Sequence, residues 1–388
     1  MTTKRRVRVL VVMDSTYACY REMQIGIADF ANARTAWHID LFPAGSDLLS
    51  WIKSTEPDGL ILGPASELSI DEVDRAIARL PASVAISTHP SIAERVPSVD
   101  VDNEQVGRIA AEHFLNKSFE HFGYIASPAS AWWAIDRFAG FKAAITAAGF
   151  TVDKWETHYS HLHPEETIPV APLPDWLQTR PKPFAVLACN DSRAWECTQV
   201  CEDVPLHIPH DIALLGVDND DLYCRMSRPA LSSVIVPWER MGFQAATLLD
   251  ELLQGKAVAP GVRKLLPTGV CERQSSDVIA VPDPDVREAL RFIRKNADRA
   301  ITVKDVVDAV PVSRRDLEQR FRRLLNRSPL EEIRAARLAR AKLLLATTDM
   351  SIDDVAYASG FASVHRFDHV FKAFFACTPT QYRRQSRH

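Results

Sequence analysis

The chain of 388 residues has no run approaching the ~20 apolar residues that span a bilayer, so no membrane-spanning helix is expected. It has no C-x-x-C pair. Its seven cysteines, at 19, 189, 197, 201, 224, 271 and 377, form an odd set, which suits free thiols in a reducing compartment better than a disulfide framework. The glycine-rich phosphate loops G-x-G-x-x-G and G-x-x-x-x-G-K-[ST] are missing, and so are the nucleophile elbow G-x-S-x-G and the zinc helix H-E-x-x-H. Nucleotide binding and the commoner hydrolytic chemistries therefore have no local support, and the reading is not an enzyme. One cluster, His158, His161 and His163 beside Glu165 and Glu166, has zinc-compatible side chains. It reads as an exposed polar loop, with no metal and no cofactor expected.

What is present is an uneven distribution of charge. From Asp283 onward there are 21 Lys and Arg against 14 Asp and Glu, a net of +7. The preceding part carries 25 against 36, a net of −11. A basic block behind an acidic body suggests a module for a polyanion.

Up to about residue 270 the chain alternates short apolar runs with amphipathic stretches. "VRVLVVM", "GLILG", "SVAIST", "HFGYIAS", "FAVLACN" and "DIALLGVD" read as strands. "REMQIGIADFANA", with Met23, Ile27 and Phe30 on one face, reads as a helix, as do "NEQVGRIAAEHFLNK", "RFAGFKAAITAAG" and "ERMGFQAATLLDELLQG". Such alternation predicts an α/β fold with parallel sheets covered on both faces. The basic start followed by Val7 to Met13 reads as a first buried strand and not an export signal, which implies a cytoplasmic chain. Ser275, Ser276, Pro282 and Pro284 then interrupt the pattern, and the rest is helical, with Asp285 as a candidate cap. The expected division is an α/β domain over 1–275, a linker over 276–284 and a helical domain over 285–388.

The helical tail contains two units of one layout. Each has a short helix (Val303 to Ala309; Ile352 to Ser359) and a tight turn (Val310-Pro311-Val312; Gly360-Phe361-Ala362). A longer helix follows, begun by a serine (Ser313 to Leu325; Ser363 to Phe375). This is the helix-turn-helix layout, in which the second helix enters the major groove. Leu317, Phe321 and Leu324 form one apolar stripe, and Phe367, Val370, Phe371 and Phe374 the other. The opposite faces carry Arg314, Arg315, Gln319 and Arg322, then His365, Arg366 and His369, with Ser363 at the helix start. Arg suits bidentate contact with guanine, and Gln with adenine. The ~19-residue helix between the units would span roughly 28 Å, near the ~34 Å between successive major grooves.

Residues 285 to 384 resemble the AraC-type DNA-binding domain. "IDDVAYASGFASVHRFDHVFKAFFACTPTQYR" follows its signature through Gly360-Phe361, Phe371-Lys372, Thr378-Pro379 and Tyr382-Arg383. The first unit departs from the pattern, with Pro311 where glycine is usual, so the geometry of its turn is an open question. Residues 7 to 275 are similar to LacI-type sugar-binding domains, through "DRFAGF", "CND", "IPHDIALLGVDND" and "RPALSSV". That resemblance implies two periplasmic-binding-protein-like αβ lobes with sugar between them.

The ends of "VLACN" and "LLGVD" place Asn190 and Asp218 at the carboxyl ends of strands. Asp218 supplies acceptors, Asn190 both donors and acceptors, and Arg137 a planar fork of donors, as sugar hydroxyls require. Trp133, or its neighbour Trp132, is a candidate floor for a sugar ring. Asp14, Tyr20 and Arg21 are candidates from the opposite lobe. Asp191 and Asp211 read as helix caps or loop residues. The sensor-plus-reader architecture resembles the bacterial xylose-operon regulators. This implies a D-xylose-dependent activator that binds double-stranded promoter DNA as a homodimer and works with RNA polymerase. The same architecture acting as a repressor, or answering another sugar, is the alternative.

Overall fold

The computed structural model describes residues 6–34, 37–43, 45–64, 68–127, 131–156, 172–278, 280–281 and 283–387. The histidine-rich cluster at His158, His161, His163, Glu165 and Glu166 lies outside the described residues. The chain divides into two compact units, Met1–Asp102 with Val236–Leu266, and Asn103–Ile235 with Pro267–His388.

The order begins β1 (Arg8–Val12), α1 (Ala18–Arg34), β2 (His38–Leu41), α2 (Leu48–Thr55), β3 (Gly59–Leu62) and α3 (Ile70–Arg79). It continues β4 (Ser83–Ile86), α4 (Pro90–Ala93), β5 (Pro97–Val101), α5 (Asn103–Leu115), β6 (His121–Ile125) and α6 (Trp132–Ala147). Then come β7 (Val152–Trp155), α7 (Leu173–Thr179), β8 (Phe184–Ala188), α8 (Asp191–Asp203), β9 (Ile212–Val217) and α9 (Asp221–Met226). The α/β part closes with β10 (Ser232–Ile235), α10 (Trp238–Leu253), β11 (Gly261–Leu265), β12 (Gly269–Cys271) and a 3-10 turn at Gln274–Ser276. The tail is helical: α11 (Pro284–Lys295), α12 (Val303–Asp308), α13 (Arg314–Leu325), α14 (Pro329–Thr347), α15 (Ile352–Ala358), α16 (Val364–Phe375) and α17 (Pro379–Arg387).

The first unit holds a sheet in the order β11-β5-β4-β3-β1-β2, with neighbouring strands parallel. Buried runs such as Val9 to Val12 and Leu60 to Leu62 explain why the strands read as near-continuous apolar segments. Met23, Ile27 and Phe30 face the core, as their helical spacing predicts. The second unit repeats the arrangement as β12-β10-β9-β8-β6-β7, parallel except for the antiparallel β10–β12 pair. The α/β class and the helical tail are as the sequence pattern predicts.

The helical tail has two small cores that share α14. Val286, Leu290, Ile293, Val306, Leu317, Phe321 and Ile333 form one, and Leu338, Ala341, Leu345, Val355, Phe361, Phe367 and Phe371 the other. Each half repeats three hydroxyl caps at its helix starts: Thr302, Ser313 and Ser328, then Ser351, Ser363 and Thr378. Each such cap satisfies an amide that has no intrahelical partner.

Two expectations are corrected here. Asp283, not Asp285, caps α11, accepting from the amides of Asp285 at 3.0 Å and Val286 at 3.2 Å. Asp285 instead takes Arg320 at 2.9 Å. Phe374 is 65% exposed. The buried stripe of α16 runs at steps of four, through Phe367 and Phe371, and Phe375 takes the place expected of Phe374.

The open question about Pro311 has a simple answer. Gly360 has φ +70, and a Cβ there would meet the Arg299 carbonyl oxygen at 2.4 Å. No residue from Val310 to Val312 takes a positive φ. Helix α12 is one residue shorter than α15, and the turn after it needs no left-handed position, so proline fits it.

Candidate functional site

Helices α5 and α6 cross at very close range, because Gly107 and Gly140 each sit against the other helix's backbone. A Cβ on Gly107 would meet the Arg137 carbonyl oxygen at 2.1 Å, and one on Gly140 the Glu104 carbonyl oxygen at 2.0 Å. This crossing sets Arg137 of α6, only 3% exposed, beside Asn103 at the start of α5. The guanidinium is held in three directions. Nε donates to Asn103 Oδ1 at 2.9 Å, Nη1 to the Cys189 carbonyl at 2.6 Å, and Nη2 to Asp218 Oδ1 at 3.3 Å. Trp133 lies under it, 4.8 Å from Cζ to the ring centroid, a cation–π contact that occupies one face of the indole. A guanidinium carries more N–H donors than these three bonds use.

Asp218 follows the last residue of β9, with φ 107, and Asn219 next to it has φ 57. Two successive non-glycine residues at positive φ are uncommon and persist only where the surroundings over-determine them. Here the Asp218 amide donates to the Val234 carbonyl at 3.0 Å, and the Asn219 amide to Ser233 Oγ at 2.9 Å. Burial pushes the Asp218 carboxyl up from 3.8 to about 6, against the opposing pull of Arg137. With 18% of the side chain still accessible, its remaining lone pairs face little competition from bulk water.

Asn190 lies two residues past the neighbouring strand β8 and caps α8, its Oδ1 accepting from the Arg193 amide and the Ser192 hydroxyl, both at 3.0 Å. The helix cap is thus Asn190, which corrects the reading of Asp191 as a cap or loop residue. Asp191 is 1% exposed and takes Ser233 Oγ at 2.7 Å and the Asp220 amide at 2.7 Å. Burial, with the Asp218 charge nearby, pushes its carboxyl well above the usual range. It braces the loop that carries Asp218. Asp211 is a loop residue as expected, accepting from the His207 amide at 2.8 Å.

Asp14, Tyr20 and Arg21 belong to the first unit. Asp14 follows β1 and accepts from the Thr16 amide at 2.8 Å and hydroxyl at 2.6 Å, bonds that lower its carboxyl's pKa. Arg21 Nη1 closes the same loop by donating to the carbonyls of Ser15 at 2.8 Å and Thr16 at 2.7 Å. Tyr20 packs edge-on against Tyr17, with ring centroids 5.3 Å apart. Sequence reasoning missed Asn103, Asp191 and Ser233. Asn103 was open to it as a candidate position, two residues past the parallel strand β5, but its pairing with Arg137 was not.

In the tail, Arg314, Arg315, Gln319 and Arg322 are exposed on α13, while Leu317 and Phe321 of the same helix are fully buried. On α16, His365, Arg366 and His369 are exposed, as is the cap Ser363, opposite Phe367 and Phe371. Arg314 Nε is partly engaged by Glu318 at 2.9 Å. Helix α14 holds both units: Arg337 donates to the Ile301 carbonyl at 2.8 Å and Arg340 to that of Ala358 at 2.7 Å. Both helix-turn-helix units are therefore tied to one helix.

Two sheets of binding-protein topology and a paired helix-turn-helix tail define a ligand-responsive DNA-binding regulator. A family model for a periplasmic binding protein-like domain matches residues 111–276, and one for a helix-turn-helix domain matches 306–385. The xylose operon regulatory protein of Escherichia coli (strain K12) is 31% identical over 397 residues, 99% of this chain and 98% of that one. That of Haemophilus influenzae is also 31% identical, over 74% of each chain. A solved structure described as a xylose-binding transcription activator is 28% identical, with TM-score 0.61 and 99% of each chain covered. The chain belongs to the family of the xylose operon regulatory proteins. It is a sugar-responsive transcription regulator and not an enzyme. Among the described residues, no helix is long and apolar enough to cross a membrane.

Proposed function

We propose that the chain is a D-xylose-dependent activator that binds promoter DNA as a homodimer in the cytoplasm and recruits RNA polymerase. The sensor spans 1–275, the linker 276–284 and the DNA reader 285–388. The observation that carries the reading is the Arg137–Asp218 pair, a donor fork and an acceptor held together at the carboxyl end of a parallel sheet. Sugar hydroxyls are simultaneously donors and acceptors, and this pair answers both capacities. Asn190, whose amide oxygen is committed to the helix cap, adds a donor, and Trp133 an apolar face. Asp14, Tyr20 and Arg21 of the first unit are further candidate sugar ligands. On the DNA side, Arg314, Arg315, Gln319 and Arg322 read one major groove, and Ser363, His365, Arg366 and His369 the next. The sugar's identity rests on the xylose-named relatives.

Calorimetric titration with D-xylose, L-arabinose, D-ribose and D-glucose tests the proposal. Selective binding of D-xylose is expected. Selective binding of another of the four overturns the xylose assignment, and binding of none overturns the sensor reading.

A further inference from the structure

The loop that presents Asp218 is tied to more than its own sheet. Asn219, the second of its two left-handed residues, accepts at Oδ1 from Arg273 Nη2 at 2.9 Å. Arg273 also donates from Nη1 to the Leu231 carbonyl at 2.9 Å, and its amide donates to Ser232 Oγ at 2.8 Å. It stands between β12 and the 3-10 turn, on the stretch that leads into the helical tail.

From Arg273 the bonding runs on without a gap. Ser232 Oγ donates to the Arg273 carbonyl at 3.0 Å and meets Ser276 Oγ at 2.8 Å. Ser276 Oγ meets His113 Nε2 at 2.9 Å, near the end of α5. Ser232, with its one hydrogen directed at the Arg273 carbonyl, accepts from Ser276. Ser276 must then accept from His113, whose hydrogen is on Nε2. Ser232 and Ser276 are fully buried. Glu272, next to Arg273, takes Lys117 Nζ at 2.7 Å. The Lys117 carbonyl accepts the Ala280 amide at 2.9 Å, and the Asn116 carbonyl accepts Arg294 Nη2 of α11 at 2.6 Å. Helix α5 itself begins at Asn103, the partner of Arg137.

We propose that Arg273 is a positioning residue that couples the Asp218 loop to the segment entering the DNA-binding helices. Through it, a sugar held by Asp218 changes operator affinity. The inference rests on the sugar-site reading given above. Such a bonded chain transmits free energy only if sugar and DNA both bias the same arrangement, so the decisive quantity is a coupling ratio and not an affinity.

The experiment measures operator affinity of the full chain by fluorescence anisotropy, with and without saturating D-xylose, for wild type, Arg273→Lys, Asn219→Gly and the double variant. Asn219→Gly removes the acceptor while keeping the left-handed backbone and its amide, and so carries the test if Arg273→Lys does not fold. The wild-type ratio of the two affinities should fall in the range of about 5- to 150-fold usual for allosteric proteins. In each single variant it should collapse to about one while D-xylose still binds, and the double variant should lose nothing further. Sugar-free operator affinity should stay within about twofold. A merely structural role would weaken sugar binding and leave the ratio intact, and that outcome overturns the inference alone. A wild type that binds no D-xylose overturns the sugar-site reading and this inference with it.

Discussion

Arg137 and Asp218, 81 residues apart in the chain, meet through Nη2 and Oδ1 at 3.3 Å. That is long for a charge-assisted bond, which ordinarily closes to about 2.7–2.9 Å. The pair is brought together by its surroundings: Asn103 and the Cys189 carbonyl fix the guanidinium, while the Asn219 and Asp220 amides fix the loop that carries the carboxylate. An acceptor and a donor held close but not fully joined are what a polar ligand can bridge at low reorganisation cost.

Asp218→Asn preserves the shape of the side chain and removes its charge. Exchanging a charged acceptor for a neutral one weakens the sugar's hydrogen bonds to it, each worth roughly 1.5–3 kcal/mol when charged. The variant should therefore bind sugar about 30-fold or more weakly in calorimetry, with a thermal melt showing that it remains folded.

The Asp218 carboxyl, raised by burial to about 6, gives pH effects of two signs. Sugar hydroxyls need the carboxylate as acceptor, so affinity should be level above about pH 6 and fall about tenfold per unit below it. Stability runs the other way. The folded state holds this proton more tightly than the unfolded chain, so its contribution is present below about pH 4 and lost as pH rises through about 6. Titrations from about pH 5 to about pH 8 read the first effect, and an Asp218→Asn profile without that break assigns it.

Arg366 is exposed on α16, opposite the buried Phe367 and Phe371. Arg366→Ala should weaken operator binding by ~1–3 kcal/mol if the guanidinium reads a base edge. Anisotropy at several salt concentrations, on an operator selected in vitro with the full chain, distinguishes base from phosphate contact. Loss of specificity at one base pair marks the former, and a shallower salt slope the latter.

Gly360 and Pro311 stand in equivalent turns and should respond unequally to alanine. At Gly360 a Cβ meets the Arg299 carbonyl at 2.4 Å on a backbone with φ +70. Gly360→Ala should cost about 2–4 kcal/mol, combining backbone strain with overpacking. Pro311→Ala should cost under about 1 kcal/mol, chiefly through the unfolded chain. Chemical denaturation of the full chain, following the transition of the helical tail, measures both.

Much of this architecture is legible without coordinates because it is written locally. Ser313 and Ser363 announce their helices by the chemistry of capping, and Leu317, Phe321, Phe367 and Phe371 announce the buried faces by spacing. Asn190 and Asp218 follow from the rule that places ligands at the carboxyl ends of parallel strands. What stays hidden is set by contacts distant in sequence. Asn103 meets Arg137 across 34 residues and Asn219 meets Arg273 across 54, and no periodicity encodes such pairs. Asp191 is an instructive miss, since a carboxylate at a helix start reads as a cap until Ser233 and the Asp220 amide are seen to claim it. Phe374 shows the limit of a helical wheel: its stripe is real, but the neighbouring core at Phe361 and Tyr382 decides which edge of it is buried.

The proposed function requires that a sugar on the Arg137–Asp218 site govern DNA binding by the paired helices α13 and α16. Its most direct test is the operator affinity of the full chain, titrated with D-xylose in wild type and Asp218→Asn. D-xylose should tighten wild-type binding by about 5- to 150-fold and leave the variant unresponsive at the same sugar concentration. An equal response in Asp218→Asn, or none in wild type that has bound D-xylose, would contradict it.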